Sequence, residues 1–251
     1  MAVLVNLLKG WTGRDGRQAA APERVGCKTA WAELLDDGVA PVRGELSYEP
    51  GAPRYDDADL ILVEHLLSVE ECARIVAAAE SETFGTTPYP PQYRGNLRLI
   101  TTDESLASAI WERLKPMVPS TVVDEKGETW DAYGVNECVR LARYSPGDRF
   151  LEHLDANFRR SDGDMSLFTV NAYLNEVVDG GATRFYGEAP KKRKGVVERP
   201  VTLAVAPGPG RAVVFRQPPG RYFYHDGEAL GSGRKYLLRT DVMYRRRGPA
   251  P

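Results

Sequence analysis

Several features that would place this chain in a special structural class are scarce or missing. No run of 18 apolar residues occurs, which argues against a transmembrane helix. Basic and acidic residues nearly balance, at 33 and 35, so the sequence lacks the excess of positive charge typical of nucleic-acid binding. Only 3 cysteines occur, Cys27, Cys72 and Cys138, and their odd number and wide spacing argue against a disulfide framework. We therefore expect a cytoplasmic protein with reduced thiols and with no nucleic-acid or membrane partner.

The composition is that of an ordinary folded domain. The chain has 251 residues, of which 42% are hydrophobic, and this is enough to bury a large core. Residues 1–57 show little sustained periodicity and are interpreted as an N-terminal extension of unknown role. No cationic region precedes the apolar residues 2–8, so a secretory signal is not predicted, whereas the lack of acidic residues before Asp15 leaves an organelle transit peptide open.

Residues 58–133 are predicted to form a helical region that packs on the core. Ser68 and Glu71 have the spacing of a capping box, in which each side chain satisfies a free backbone N–H at a helix start. They predict a helix over residues 69–82. Thr101 and Glu104 suggest a second box, before a helix over residues 103–115 whose apolar residues recur at helical spacing.

The character of the sequence changes after residue 134. Short segments rich in β-branched and aromatic residues alternate with glycine- and proline-containing turns, which is typical of an antiparallel sandwich or barrel. The predicted strands are 137–144, 166–174, 182–186, 201–206, 211–216 and 235–244. Helices followed by a β core predict an α+β protein.

Histidine is also rare, with 3 residues in the chain. His153 and Asp155 are two residues apart, so on an extended segment their side chains point the same way. His225 follows an apolar strand and could complete the set from a facing strand. Two histidines and one carboxylate form the ligand set of non-haem Fe(II) oxygenases. An isolated HxD tripeptide also arises by chance, and His225 alone could be a core histidine. His65 is interpreted as a surface or packing residue.

Residues 136–244 resemble the catalytic domain of the prolyl 4-hydroxylase-like Fe(II)/2-oxoglutarate dioxygenases. Five blocks in the family's order carry the resemblance: RYSPGDRFLEHLD (143–155), TVNAYLNE (169–176), GGATRF (180–185), PGPGRAVVF (207–215) and HDGEALGSGRKYLLRTDVMY (225–244). The resemblance implies a double-stranded β-helix, or jelly roll, with N-terminal flanking helices. It assigns residues 134–248 to the dioxygenase domain.

The resemblance also implies roles for individual residues. His153, Asp155 and His225 match the iron ligands. Lys235, ten residues after His225, matches the basic residue that pairs with the distal carboxylate of 2-oxoglutarate. Tyr144 lies where the family often places a tyrosine near this cosubstrate.

Further polar residues lie near these positions in the sequence. Arg239 shares strand parity with Lys235, and it could bind an anion or pair with Asp241. Thr183 and Phe185 are expected to line the barrel, and Asn171 could face the site. Segments before the barrel help to cover the active-site mouth in the family, so the candidates extend to Arg94, Asn96 and Arg98. The basic stretch 187–200 is interpreted as a loop between two strands.

The expected activity is hydroxylation of an unactivated C–H bond with O2, Fe(II) and 2-oxoglutarate, with ascorbate as a further candidate cofactor. The family hydroxylates peptidyl proline, other residues or free small molecules, and the iron motif does not separate these substrates. A peptidyl proline or another amino-acid residue is the first candidate. A free amino acid or small metabolite is the alternative, and a non-catalytic metal-binding jelly roll is the third. The oligomeric state stays open.

Overall fold

The structure is a computed structural model that describes residues 29–188 and 199–248. A short 3₁₀ helix, Trp31–Leu34, precedes two α-helices, α1 (Val69–Ser81) and α2 (Glu104–Leu114). The strands are β1 (Val42–Arg43), β2 (Leu60–Glu64), β3 (Leu97–Thr102), β4 (Thr121–Val123), β5 (Thr129–Val135), β6 (Cys138–Tyr144), β7 (Phe150–His153), β8 (Met165–Tyr173), β9 (Thr183–Tyr186), β10 (Val201–Val205), β11 (Ala212–Arg216), β12 (His225–Gly227) and β13 (Lys235–Arg246).

Two antiparallel sheets build the β core. The larger has nine strands in the order β1-β2-β11-β8-β13-β5-β4, with β6 pairing to both β13 and β3. The smaller has four strands in the order β10-β9-β12-β7. One apolar cluster lies between the sheets and includes Phe185, Leu203 and Phe215. These features confirm the predicted jelly roll.

The helices cover the other face of the larger sheet. There Ile75 of α1 and Ile110 of α2 share one apolar cluster with Val170 of β8. All nine residues of β8 are buried, because this strand has the helices on one side and the smaller sheet on the other. The segment 58–133 supplies both helices and also four strands of the larger sheet.

The two helix starts differ from each other. The capping box of Ser68 and Glu71 is present, and α1 begins as predicted. The predicted box of Thr101 and Glu104 is wrong. Thr101 lies inside β3, and the side chain of Asp103 instead accepts a hydrogen bond from the backbone N–H of Leu106 at 2.8 Å. The strand continues to residue 102, so the cap moves to the next residue that has a suitable oxygen.

Other predictions concern the thiols, the membrane and the basic loop. Cys72 is buried and Cys138 half-buried, and both thiols are free, whereas Cys27 lies outside the described residues. No helix in the described ranges is long and apolar enough to cross a membrane. Most of the predicted loop 187–200 also lies outside the described residues.

Candidate metal and cosubstrate site

A cavity of about 420 Å³ opens between the two sheets. The side chains that line it include every residue proposed above as a metal or cosubstrate ligand: Tyr144, His153, Asp155, His225, Lys235 and Arg239. Residues scattered over 96 positions of the sequence therefore meet in one place, because β6, β7, β12 and β13 each end or pass at this cavity.

Three potential metal ligands converge in the cavity. One ligand atom from each of His153, Asp155 and His225 lies within 4.8 Å of the others. The Nε2 atom of His153 is 3.8 Å from Oδ1 of Asp155, and Nε2 of His225 is 3.7 Å from Oδ2. His225 stands directly opposite His153 on the neighbouring strand of the same sheet, not on a facing strand as the sequence suggested.

The backbone fixes which nitrogen each imidazole presents. Nδ1 of His153 donates to the carbonyl of Leu151 at 2.8 Å, and Nδ1 of His225 donates to that of Phe223 at 3.0 Å. Both Nε2 atoms therefore carry a free lone pair directed at the cluster. Burial, followed by the neighbouring His225, lowers the pKa of His153 to about 3, so this ring is neutral at physiological pH. Two imidazole nitrogens and one carboxylate fit Fe(II).

Asp155 is held as an anion by its neighbours. Burial opposes its charge, but neighbouring positive charge, above all that of Arg239, outweighs burial and lowers its pKa. Nη2 of Arg239 lies 3.2 Å from Oδ1, and the hydroxyl of Thr169 donates to Oδ2 at 2.8 Å. Each carboxylate oxygen thus has one donor that sets its direction.

Asp155 belongs to a ring of polar contacts. Its members are Asp155, Thr169, Gln217, Asp241 and Arg239. The amide nitrogen of Gln217 donates to Oγ1 of Thr169 at 3.0 Å and to Oδ1 of Asp241 at 2.9 Å. Arg239 closes the ring, since its Nη2 also lies 3.4 Å from Oδ1 of Asp241. Sequence reasoning missed Gln217, which follows β11 with no local motif. Only the pairing of β8, β11 and β13 shows its place.

Lys235 is a further cation deep in the cavity. Its side chain is 2% exposed, and Nζ donates to the carbonyl of Gly181 at 2.6 Å. The rings of Tyr144 and Tyr173 lie 5.1 and 5.5 Å from Nζ. Burial lowers the pKa of Lys235 to about 8. Within the described ranges no carboxylate forms an ion pair with this ammonium, and a buried ammonium in that position favours binding of an anion.

Some of the remaining predicted residues line the cavity, and others do not. Arg94 and Arg98 line the cavity, whereas Asn96 is buried and accepts a hydrogen bond from Nε of Arg94 at 3.0 Å. Asn171 also lines the cavity. His65 is exposed, has a φ of 58° and lies outside the cluster.

Two side chains from the GGATRF block pack in the cavity wall and the inter-sheet core. The hydroxyl of Thr183 accepts a hydrogen bond from that of Tyr173 at 2.7 Å. The ring of Phe185 is fully buried, and its centroid lies 5.8 Å from that of His225.

The comparison with known families agrees with this geometry. Residues 139–240 match the 2OG-Fe(II) oxygenase superfamily. The match covers less than half of the chain. Fe(II) and 2-oxoglutarate are accordingly the cofactor and cosubstrate that this superfamily implies, and the predicted resemblance to prolyl 4-hydroxylase-like enzymes is confirmed. No curated protein matches the chain.

Solved structures with this fold include prolyl hydroxylases. A prolyl hydroxylase from Trichoplax adhaerens, solved with a hypoxia inducible factor peptide fragment, is 17% identical with a TM-score of 0.51, over 74% of this chain and 83% of that one. A prolyl-4-hydroxylase from Pseudomonas putida is 22% identical with a TM-score of 0.47, over 76% and 94% of the two chains. The carbocyclase SnoK from nogalamycin biosynthesis is 13% identical with a TM-score of 0.48, over 81% and 90%. At 17% identity, the Trichoplax structure supports the fold alone.

Proposed function

We propose that this protein is an Fe(II)- and 2-oxoglutarate-dependent dioxygenase that hydroxylates an unactivated C–H bond. The observation that carries the proposal is the convergence of two Nε2 atoms and one carboxylate in a cavity that also holds a buried, unpaired ammonium. Fe(II), 2-oxoglutarate and O2 together supply the oxidising chemistry, and succinate and CO2 are released.

Each residue of the chain has a distinct task in this proposal. His153, Asp155 and His225 hold the iron on one side, which leaves its other positions open. Lys235 binds the distal carboxylate of 2-oxoglutarate, and the Tyr144 hydroxyl donates a hydrogen bond to the same cosubstrate. Arg239 does not take this anchoring role, because it contacts two carboxylates of the protein already. It positions Asp155. Ascorbate would serve as a reductant that keeps the iron ferrous.

The substrate is proposed at the level of chemical class. A peptidyl proline or other residue is the first candidate, and the Trichoplax enzyme was solved with a peptide fragment. A free amino acid or small metabolite is the second, and the row of arginines along the cavity favours it. A non-catalytic metal-binding protein is disfavoured by Lys235, since a buried lysine that only binds a carbonyl serves no purpose in a metal site. Free thiols are in keeping with a cytoplasmic location.

The test is an aerobic measurement of succinate with Fe(II), 2-oxoglutarate, and a set of peptides and free amino acids. The wild type should form succinate faster with at least one candidate than without any. Asp155→Asn keeps the side-chain volume and should abolish that turnover. Asp131→Asn is the matched control, because Asp131 forms an exposed ion pair with Arg247 far from the cavity. Absence of succinate with every candidate, with iron bound, would support the non-catalytic alternative.

A further inference from the structure

A row of arginines crosses the cavity floor. Arg98 of β3 lies opposite Ala142 of β6, and Arg140 of β6 lies opposite Arg239 of β13. Residues opposite each other in antiparallel strands share a face of the sheet, and all four of these residues line the cavity. Like charges placed directly opposite each other destabilise a sheet. The arrangement therefore calls for compensating negative charge.

The protein supplies only part of that charge. Asp241 lies 3.4 Å from both Arg239 and Arg140. Among residues 29–188 and 199–248, no carboxylate forms an ion pair with Arg98. Burial, followed by repulsion from Arg94 and Arg140, lowers the pKa of Arg98 to about 10.

Arg94 is similarly short of negative partners. Its Nε donates to the neutral amide of Asn96, and its guanidinium lies 4.4 Å from the ring centroid of Phe150. That ring stacks on His153 with centroids 3.6 Å apart. Arg94 is thereby placed beside the proposed metal site without a carboxylate of its own among the described residues.

Bound cosubstrate would not remove this excess. Under the proposed function, Lys235 and the iron with Asp155 together balance the two negative charges of 2-oxoglutarate. Asp241, which lies between Arg239 and Arg140, balances the charge of one of the four cavity arginines. Positive charge equivalent to three guanidinium groups remains along Arg94, Arg98 and Arg140.

We propose that Arg98, together with Arg94 and Arg140, binds an oxyanion group of the substrate, so that the enzyme acts on a small anionic molecule. This inference rests on the proposed function. Arginine is suited to the role because its planar guanidinium donates two parallel hydrogen bonds to a carboxylate or a phosphate. The arginines lie inside a cavity of about 420 Å³ rather than on the outer surface, a size that suits a small ligand beside the cosubstrate.

The binding test uses the protein loaded with Mn(II) and saturating 2-oxoglutarate, and calorimetric titration with inorganic phosphate or with acetate. The two probes distinguish a phosphate-bearing substrate from a carboxylate-bearing one. We expect saturable binding of at least one probe, weakened about tenfold or more in Arg98→Gln. Arg143→Gln is the matched control: Arg143 lies on β6, pairs with Glu80 and does not line the cavity. It should bind the probe as the wild type does.

The same titrations separate the two proposals. If 2-oxoglutarate binds normally but neither anion binds, or Arg98→Gln binds them like the wild type, the anion site is wrong and the proposed function stands. If the probe displaces 2-oxoglutarate, the anion site is likewise wrong and the proposed function still stands. If 2-oxoglutarate itself does not bind the Mn(II)-loaded protein, both proposals fail.

Turnover gives a second readout. Small carboxylic acids are compared with their primary amides and with a proline-containing peptide, by succinate release. The acids should stimulate release more than their amides, and Arg98→Gln should raise KM for the acid more than it lowers kcat. Equal stimulation of succinate release by acid and amide would overturn the inference. So would release that only the neutral peptide stimulates and that Arg98→Gln leaves unchanged.

Discussion

His153 and His225 are register partners on two neighbouring antiparallel strands, with ring centroids 4.2 Å apart. Each Nδ1 is hydrogen-bonded to the carbonyl two residues earlier in its own chain segment. The pairing of β7 with β12 sets the distance between the rings, and the local backbone sets which nitrogen each ring presents. The sheet and the local backbone therefore set the positions of both proposed histidine ligands.

This construction predicts the behaviour of His153→Ala. The variant should lose Fe(II) binding and turnover while it keeps the fold, because His153 lies at the end of a strand rather than in the apolar clusters. Anaerobic titration with Fe(II) and 2-oxoglutarate measures this through the charge-transfer absorption expected of the chelate. His65→Gln is the control and should bind iron as the wild type does. Wild-type absorption and succinate formation in His153→Ala would refute the ligand assignment.

Lys235→Ala tests the cosubstrate anchor. Removing one partner of a buried ion pair costs about 3–5 kcal/mol. Since a bound cosubstrate retains some contact with water, we expect the apparent 2-oxoglutarate requirement to rise by at least about tenfold. Iron affinity without cosubstrate should barely change. Arg239→Ala is the comparison, and it should weaken iron binding more than 2-oxoglutarate binding because Arg239 contacts Asp155. The reverse pattern would move the anchor to Arg239.

The lowered pKa of Lys235 also predicts a pH dependence. Below about 8 the free enzyme carries the ammonium that the cosubstrate needs. Above that pH the free enzyme loses the proton, and binding must take it up again. The Kd of 2-oxoglutarate should therefore be flat between about pH 6 and 7.5 and rise by up to about tenfold per unit above 8. Calorimetry on the Mn(II)-loaded protein measures it. Lys235→Arg should flatten the rise, since guanidinium stays charged; an equal rise in both proteins would contradict the assignment.

The sequence was informative for features that depend on local patterns of residues. The alternating β segments predicted an antiparallel sandwich or barrel, and the family resemblance implied the jelly roll. The HxD spacing and the position of His225 predicted residues that converge in it. The capping box at Ser68 predicted the start of α1 because its hydrogen bonds join residues three apart.

The sequence was less informative where contacts cross between strands. Gln217 reaches Thr169 and Asp241, which are 48 and 24 residues away. The row formed by Arg98, Arg140 and Arg239 depends on the register of three strands. A one-residue change of register moves a side chain to the other face, and a single sequence does not fix it that closely.

A buried ion pair between the two helices predicts an effect on stability alone. Arg113 of α2 donates two hydrogen bonds to Glu71 of α1, at 2.9 and 2.7 Å, and the Glu71 side chain has no exposure. Arg113→Met leaves that carboxylate buried and unpaired and should lower the free energy of unfolding by about 3 kcal/mol. Urea denaturation measures the loss. Lys115→Met, which breaks an exposed pair with Glu112, should change little. Similar effects of both substitutions would be inconsistent with a structural role for the buried pair.

Thr169→Val tests whether the ring of polar contacts that includes Asp155 matters for the metal. Valine keeps the shape of threonine but removes the hydroxyl that donates to Oδ2 of Asp155. Loss of such an outer partner typically weakens metal binding about 10- to 100-fold, so we expect at least a tenfold rise in the Kd for Fe(II), measured anaerobically. Thr240→Val is the matched control: Thr240 is buried on β13, but its hydroxyl donates to the backbone carbonyl of Asn136. Thr169→Val loses two buried hydrogen bonds and Thr240→Val loses one, so both should lose stability, whereas only Thr169→Val should lose metal affinity. Equal iron affinity in the two would mean that Arg239 alone orients the carboxylate.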